Sequence, residues 1–274
     1  MSKKKVLIVT QEMHPYTDVS EIAEITRQLP QYIQENGMEI RVLMPHFGAI
    51  NERRHRLHEV VRLSGMNIIV DDDDFPHIIK VASLQEAKMQ VYFLDNEDFF
   101  KRRGLFSDDK GKPFEDNTDR TVFFCKGVLE TVRKFGWAPD IIHCHGWMTS
   151  LIPMYLKTAY SNEPIFQRAK VIYSVYSESQ EDNFDKEDFF LKAGINSIAA
   201  SDIKAYEGAN GVSLHEGAMA FSDGVVMGSA DVAPHVQQKL DGLDKPVLSY
   251  NREGEFFAEY MDFYNALMAE EVEH

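Results

Sequence analysis

Cysteine is nearly missing from this sequence: of 274 residues, only Cys125 and Cys144 carry a thiol. Both sit inside apolar segments, which reads as two buried free thiols in a reducing compartment and excludes a disulfide framework. Long hydrophobic runs are missing too. The apolar stretch behind the terminal lysines, Val6 to Val9, is too short for a membrane span or a signal peptide, so a cytoplasmic location is expected. Positive charge is in deficit, with 29 Lys and Arg against 44 Asp and Glu and a formal net charge of -15. Such a field repels phosphate backbones and anionic lipid, so neither nucleic acid nor a membrane is an expected partner unless a basic patch is local. The basic clusters in view are Lys3-Lys4-Lys5 and Arg53-Arg54 with Arg56, read as solvated. No Gly-x-Gly-x-x-Gly or phosphate-loop motif opens a helix, which disfavours a standard dinucleotide or nucleoside-triphosphate enzyme, and no cofactor is expected. Finally, no Gly/Ser/Pro-rich linker divides the chain, which favours one large domain over two small ones.

What is present is the balance of an ordinary soluble globule, 44% hydrophobic and 27% charged. Apolar runs at 5–10, 40–44, 91–94, 140–144, 171–175 and 224–227 read as buried strands, the last of them closing the sheet. Between them lie helical patterns: one starting near Asp18 with Ile22, Ile25, Leu29 and Ile33 on one face and Gly37 as its stop, and others over 118–135, 149–159 and 191–200. A polar, aromatic stretch occupies 177–190. Residues 59–96 carry short β-rich runs at 60–61, 66–70, 77–81 and 90–94, an insertion that returns to the sheet. A final helix over 255–271 repeats Phe256, Tyr260, Phe263, Tyr264 and Leu267 on one face, which reads as docked on its own core. Alternating strands and helices imply an α/β fold, a Rossmann-like doubly wound parallel sheet with a β-rich insertion.

The most informative stretch is Asp140-Ile-Ile-His-Cys-His-Gly-Trp147, a strand running into an aromatic turn and a helix. Parallel sheets present ligand-binding side chains at such carboxyl edges. His143 and His145, two apart, share one face, with Cys144 on the other. No second ligand cluster accompanies this His-x-His, and no metal is expected. His145 is either a cleft-lining residue or a hydrogen-bonded edge histidine. Trp147 is either a sugar-stacking platform or the packing of the turn. Asp116 and Asn117 either bind substrate hydroxyls or cap the following helix. The acidic run 71–74 lacks the alternating ligands and glycine of a calcium loop and reads as a solvated hairpin tip.

Several of these segments, in order, resemble the N-terminal, acceptor-side domain of bacterial glycogen synthases and plant starch synthases. Lys5-Val-Leu-Ile-Val-Thr-Gln-Glu-Met-His-Pro15 is similar to the family's first strand and its Ser-Glu-x-x-Pro turn. Leu29-Pro30, Arg41-Val-Leu-Met-Pro45, Val91-Tyr-Phe-Leu-Asp-Asn96, Arg103-Gly-Leu-Phe106, Phe114-Glu-Asp-Asn117, the 140–147 stretch and Phe190-Leu-Lys-Ala-Gly-Ile195 follow. The resemblance implies the N-terminal half of a two-domain GT-B glycosyltransferase over 1–250, with 251–274 as a C-terminal helix packed on it. It further implies glucose transfer from a nucleotide sugar to an α-1,4-glucan, with His145 lining the catalytic cleft and Asp116, Asn117 and Trp147 on the substrate side.

Four departures stand against a complete transferase. Where the family opens its first helix with Lys-x-Gly-Gly-Leu, this chain reads Asp18-Val-Ser-Glu-Ile22. Asp18 and Glu21 are expected to cap that helix, and a carboxylate about 4 Å from phosphate is repelled by roughly 4 kcal/mol at an effective dielectric near 20. Gly146 replaces the aspartate of His-Asp-Trp, and Ser174-Val-Tyr-Ser177 replaces Thr-Ile-His-Asn. The donor-binding half of the family is not expected within 274 residues. Alternatives are therefore a non-catalytic glucan-binding or regulatory homologue, or a structural subunit. The expected partners are an α-glucan, a separate chain carrying a donor-binding domain, or a second copy.

Overall fold

The computed structural model of the chain describes residues 3–84, 87–177, 184–195, 198–209 and 211–269. In chain order the elements are β1 (Lys5–Thr10), α1 (Glu21–Glu35), β2 (Glu39–Pro45), α2 (Glu52–His55), β3 (His58–Glu59), β4 (Met66–Val70), β5 (Asp73–Leu84), β6 (Met89–Asp95), α3 (Glu97–Phe100) and α4 (Asn117–Phe135). There follow β7 (Ile141–His145), α5 (Ile152–Lys157), β8 (Lys170–Val175), α6 (Lys186–Ala193), α7 (Ala200–Ile203), β9 (Glu207–Gly208), β10 (Gly211–Val212), α8 (Leu214–Phe221), β11 (Gly224–Met227), α9 (Pro234–Asp241), β12 (Val247–Leu248) and α10 (Phe256–Ala269).

One ten-stranded sheet organises the molecule, in the order β12-β11-β8-β7-β1-β2-β6-β5-β3 with β4 paired to β5. From β12 to β6 neighbouring strands are parallel; β5, β3 and β4 add an antiparallel edge. Parallel strands need both faces covered, and the residues of β1, β7 and β8 are accordingly almost all buried. Residues in register share a face: His143 stands level with Ile8 and Ile172, and His145 with Thr10 and Ser174. Their face is covered by α1 and α10. The other face, carrying Cys144, is covered by α4, whose buried Cys125 donates to the Met148 carbonyl.

The acidic run is the hairpin tip between β4 and β5, with Asp71 at φ 55. Both cysteines are free and buried. Tyr260, Tyr264 and Leu267 of α10 are buried, so its aromatic face is indeed docked on the core. A Cβ at Gly224 would lie 2.8 Å from the Phe263 ring and 2.9 Å from Leu267, so only glycine lets β11 meet α10 this closely.

Several expectations shift. Val60 lies just beyond a two-residue strand at His58–Glu59, its N–H still donating to the Ile79 carbonyl at 2.8 Å, and Val61 is an exposed turn residue. The helix expected over 191–200 ends at Ala193, because Gly194 leaves the helical region at ψ 139; a separate short helix begins at Ala200. The segment 149–159 divides into a 3-10 turn at Trp147–Thr149 and α5. β11 is not the last strand, since β12 pairs beside it in parallel. Residues 178–183 of the polar, aromatic stretch, and 270–271 of the final helix, lie outside the described residues.

Candidate functional site

The site forms where β1, β7 and β8 end. Beyond β1 the chain turns through Glu12, which is fully buried. Its carboxylate accepts from the backbone N–H groups of Val19 (3.0 Å) and Ser20 (2.9 Å) and from the Ser20 hydroxyl (3.0 Å). Ser20, in turn, is the N-cap of α1, accepting from the Ile22 N–H. The expected cap by Asp18 and Glu21 is thus corrected: Asp18 lies outside the helix and exposed, because Glu12 already holds the turn. Glu21 reaches across instead, accepting from the Ser229 hydroxyl and from Arg252 Nη2 (3.5 Å). The start of α1, where a helix would offer N–H groups to an anion, is therefore surrounded by carboxylates.

Arg252 belongs to the segment between β12 and α10. Its Nη2 also donates to the Gly228 carbonyl at 2.9 Å, and its guanidinium lies 5.3 Å from the ring centroids of both Tyr250 and Phe256. This segment ties the end of β11 to the start of α1. A cavity of about 340 Å³ remains between it and α1, with Glu21, Glu24 and Arg252 in its wall.

Beneath lie the two histidines, both fully buried, their ring centroids 3.9 Å apart. His143 shares hydrogen bonds with Tyr264 Oη at 2.6 Å through Nδ1 and with Ser174 Oγ at 2.7 Å through Nε2. His145 Nδ1 meets Tyr176 Oη at 2.8 Å, while its Nε2 has no hydrogen-bond partner among the described residues. Burial holds both imidazoles neutral. It pushes His145 down to about 3, aided by the positive charge of Arg252, and His143 well below its usual value, aided by His145. Neutral, enclosed histidines can hydrogen-bond to hydroxyls but cannot supply charge.

Gly146 turns the chain with φ 89 and ψ 160, a combination essentially confined to glycine. A Cβ there would lie 2.4 Å from the Gln11 side chain, whose Oε1 accepts from Met148 N–H at 3.1 Å. Gln11 thus fills the space next to the position where the family carries aspartate. Trp147 is fully buried, edge-on to Phe106 and Phe184 at 5.0 and 5.6 Å, and its Nε1 has no hydrogen-bond partner among the described residues. In this arrangement its ring packs the strand-to-helix turn.

Asp116 and Asn117 stand at the start of α4. Asp116 occupies the N-cap position without a side-chain cap bond, and its carboxylate instead accepts from Arg102 Nη1 and Nη2, at 2.6 and 2.5 Å. Asn117, expected just before the helix, is its first residue and is buried. It donates to the Phe106 carbonyl at 2.9 Å and accepts from Arg120 Nη1 at 2.7 Å. Arg120 is the group that sequence reasoning missed. Fully buried, it also donates to the carbonyls of Phe99 and Leu105, and burial lowers it to about 10. Its only sequence signal was a charge on the inward side of an otherwise apolar helix. Among the described residues, no group of three or more His, Cys, Asp or Glu is placed to hold a metal ion, and no helix is long and apolar enough to cross a membrane.

Comparison with known proteins agrees with this architecture. The chain is 43% identical over 174 residues to a glycogen synthase of Pelodictyon phaeoclathratiforme, covering 63% of this chain and 36% of that protein. It is 41% identical over 187 residues to a glycogen synthase of Chlorobaculum tepidum, covering 68% and 38%. The matched stretch thus spans little more than a third of each relative's length. Among solved structures, the catalytic domain of starch synthase IV from Arabidopsis thaliana, bound to ADP and acarbose, superposes with a TM-score of 0.69 at 17% identity, over 97% of this chain and 50% of that one. The shared fold is that of one half of a GT-B glycosyltransferase. The family model described as the starch synthase catalytic domain matches residues 5–247, and the chain belongs to that family.

Proposed function

We propose that this chain works on the glucan side of glycogen or starch metabolism and does not engage a nucleotide sugar by itself. Glucosyl transfer to an α-1,4-glucan would then need a donor-binding half in addition to this domain. His145, Asp116, Asn117 and Trp147 mark the substrate side of the cleft, with an α-glucan as the partner. The observation that carries this reading is the start of α1: Glu12 occupies the N–H groups of Val19 and Ser20, and Glu21 is tied to Arg252 and Ser229. A phosphate approaching there would meet carboxylates and find those donors taken.

The test pairs two measurements on the purified chain. Calorimetric titration with ADP-glucose is expected to give no saturable signal, while migration in a glycogen-containing affinity gel is expected to be retarded. Tight ADP-glucose binding by the chain alone would overturn the donor half of the proposal, and unretarded migration the glucan half.

A second reading, a non-catalytic glucan-binding or regulatory protein, is favoured by the joint replacement at Gln11 and Gly146, which removes a carboxylate from beside His145. Radiolabelled ADP-glucose with a glucan primer, alone and with extract of the source cells, separates the two. Incorporation that depends on both the chain and the extract supports the first reading, and no added incorporation supports the second. The cytoplasmic location expected from the two unpaired thiols belongs to the same proposal, and fractionation of those cells tests it.

A further inference from the structure

A second concavity carries the opposite charge. On the face covered by α1, but over the β6–β5 half of the sheet, lies a cavity of about 650 Å³ whose wall includes Arg27, Arg54, Arg56, His14, His55 and His58. In a chain of net charge -15, three arginines and three histidines converge there, and no Asp or Glu is among the described residues of its wall. Local chemistry keeps the charge of Arg54 and Arg56 available. Glu52, the acid nearest in sequence to Arg54, is engaged elsewhere, 2.7 Å from Lys80 Nζ and 3.5 Å from His46 Nε2. Arg54 and Arg56 have no acidic partner among the described residues.

The turn that presents them is built rather than loose. Asn51 accepts from the Arg54 N–H at 2.9 Å to start α2, and the Leu57 N–H donates to the Glu52 carbonyl at 3.0 Å. Between them, Arg56 is held in the left-handed region at φ 54, which a side chain with a Cβ adopts at a cost. Arg27 is fixed from α1, its Nη1 donating to the side-chain Oε1 of Gln31 at 2.8 Å. Burial lowers His55, aided by the neighbouring Arg54, and burial raises the Tyr16 phenol, opposed by the nearby Arg27. Tyr16 and His55 stack edge to face at 4.9 Å, giving an aromatic wall beside the cations.

We infer that this cavity binds a small phosphate ester, with the phosphate held by Arg54, Arg56 and Arg27 and its organic part against Tyr16 and Leu84. Guanidinium groups match phosphate oxygens in a bidentate manner, and the volume falls within the roughly 300–1,000 Å³ typical of small-molecule sites. The ester is of hexose-phosphate or nucleoside-monophosphate size. The inference does not depend on the function proposed above, since neither glucan nor a sugar-nucleotide donor enters it.

Isothermal titration of the full chain at low ionic strength with inorganic phosphate, glucose 6-phosphate and AMP, one at a time, tests it. Saturable one-to-one binding of at least one ester, tighter than that of inorganic phosphate, is expected, and whichever ester binds more tightly identifies the organic part. The double variant Arg54→Ala/Arg56→Ala, altered only at exposed side chains, is expected to melt like the wild type and to bind at least about tenfold more weakly. Absence of saturable binding for all three probes overturns the inference. So does equal binding by the double variant, and so does an affinity for both esters no greater than for inorganic phosphate.

Discussion

At the ends of β7 and β8, polar side chains are buried and mostly paired, and they are uncharged; across α1, over β6 and β5, cationic side chains stand open around a cavity. Both regions lie on one face of one sheet, and both are rich in histidine. What separates them is cover. Over His143 and His145, α10 supplies Tyr260 and Tyr264, and the segment before it supplies Arg252. Over the other half, α2 is only four residues long and leaves the sheet's flank open. The same residue type is therefore neutralised in one place and left to the solvent in the other. The comparison teaches that local packing, not composition, decides where this acidic chain can meet an anion.

The largest expected effect tests the cover itself. Tyr264→Ala removes a fully buried ring and a partner of His143, and should cost about 3–5 kcal/mol in urea unfolding. A loss below about 1 kcal/mol would mean that α10 does not seal the histidines. Next comes Gly146→Asp, which puts a side chain into a glycine-only conformation and against Gln11, at about 2–4 kcal/mol. Adding Gln11→Ala should recover about 1 kcal/mol or more, and strict additivity in that double-mutant cycle would disprove the coupling.

A third effect is pH-dependent. His143 and His145 have folded-state values far below the ordinary 6.5, with His145 at about 3, and buried His77 falls to about 4. Each is neutral in the native state, whereas the unfolded chain binds a proton below about pH 6.5. Their stabilising contribution is therefore complete above that pH and is lost as pH falls from 6.5 towards 3–4, at up to about 1.4 kcal/mol per pH unit for each group. Melting curves at pH 7, 6 and 5 should show the decline, and His145→Gln should flatten it; an unchanged slope in the variant would remove His145 from the account. The smallest effect is at the open region, where Arg54→Ala/Arg56→Ala should change stability by less than about 0.5 kcal/mol, read by the same urea titration. A larger loss would show that these arginines are structural.

Much of the buried half was legible in the sequence, because its signals are periodic. The continuous apolar runs of β1, β2, β7 and β8 and the two-residue spacing of His143 and His145 follow from strand geometry, and the aromatic face of α10 follows from helix geometry. Signals that depend on the third dimension were not legible. The N-cap passed from Asp18 to Ser20 because Glu12, eight residues earlier, was already holding that turn. Arg252 contacts Glu21 across 231 residues of sequence, and no pattern in either segment announces it. Arg53, Arg54 and Arg56 read as a solvated cluster, and their exposure agrees. The cavity formed by Arg54 and Arg56 needed Arg27 and Tyr16 from another element to become visible.

The contact between Gln11 and the bare α-carbon of Gly146 also sets a direction on evolutionary change. While Gln11 stands there, a carboxylate introduced at 146 meets the Gln11 side chain with its Cβ at 2.4 Å. If residue 11 shrinks first, that space opens. Order matters: a carboxylate at 146 is accommodated more easily after residue 11 has shrunk than before.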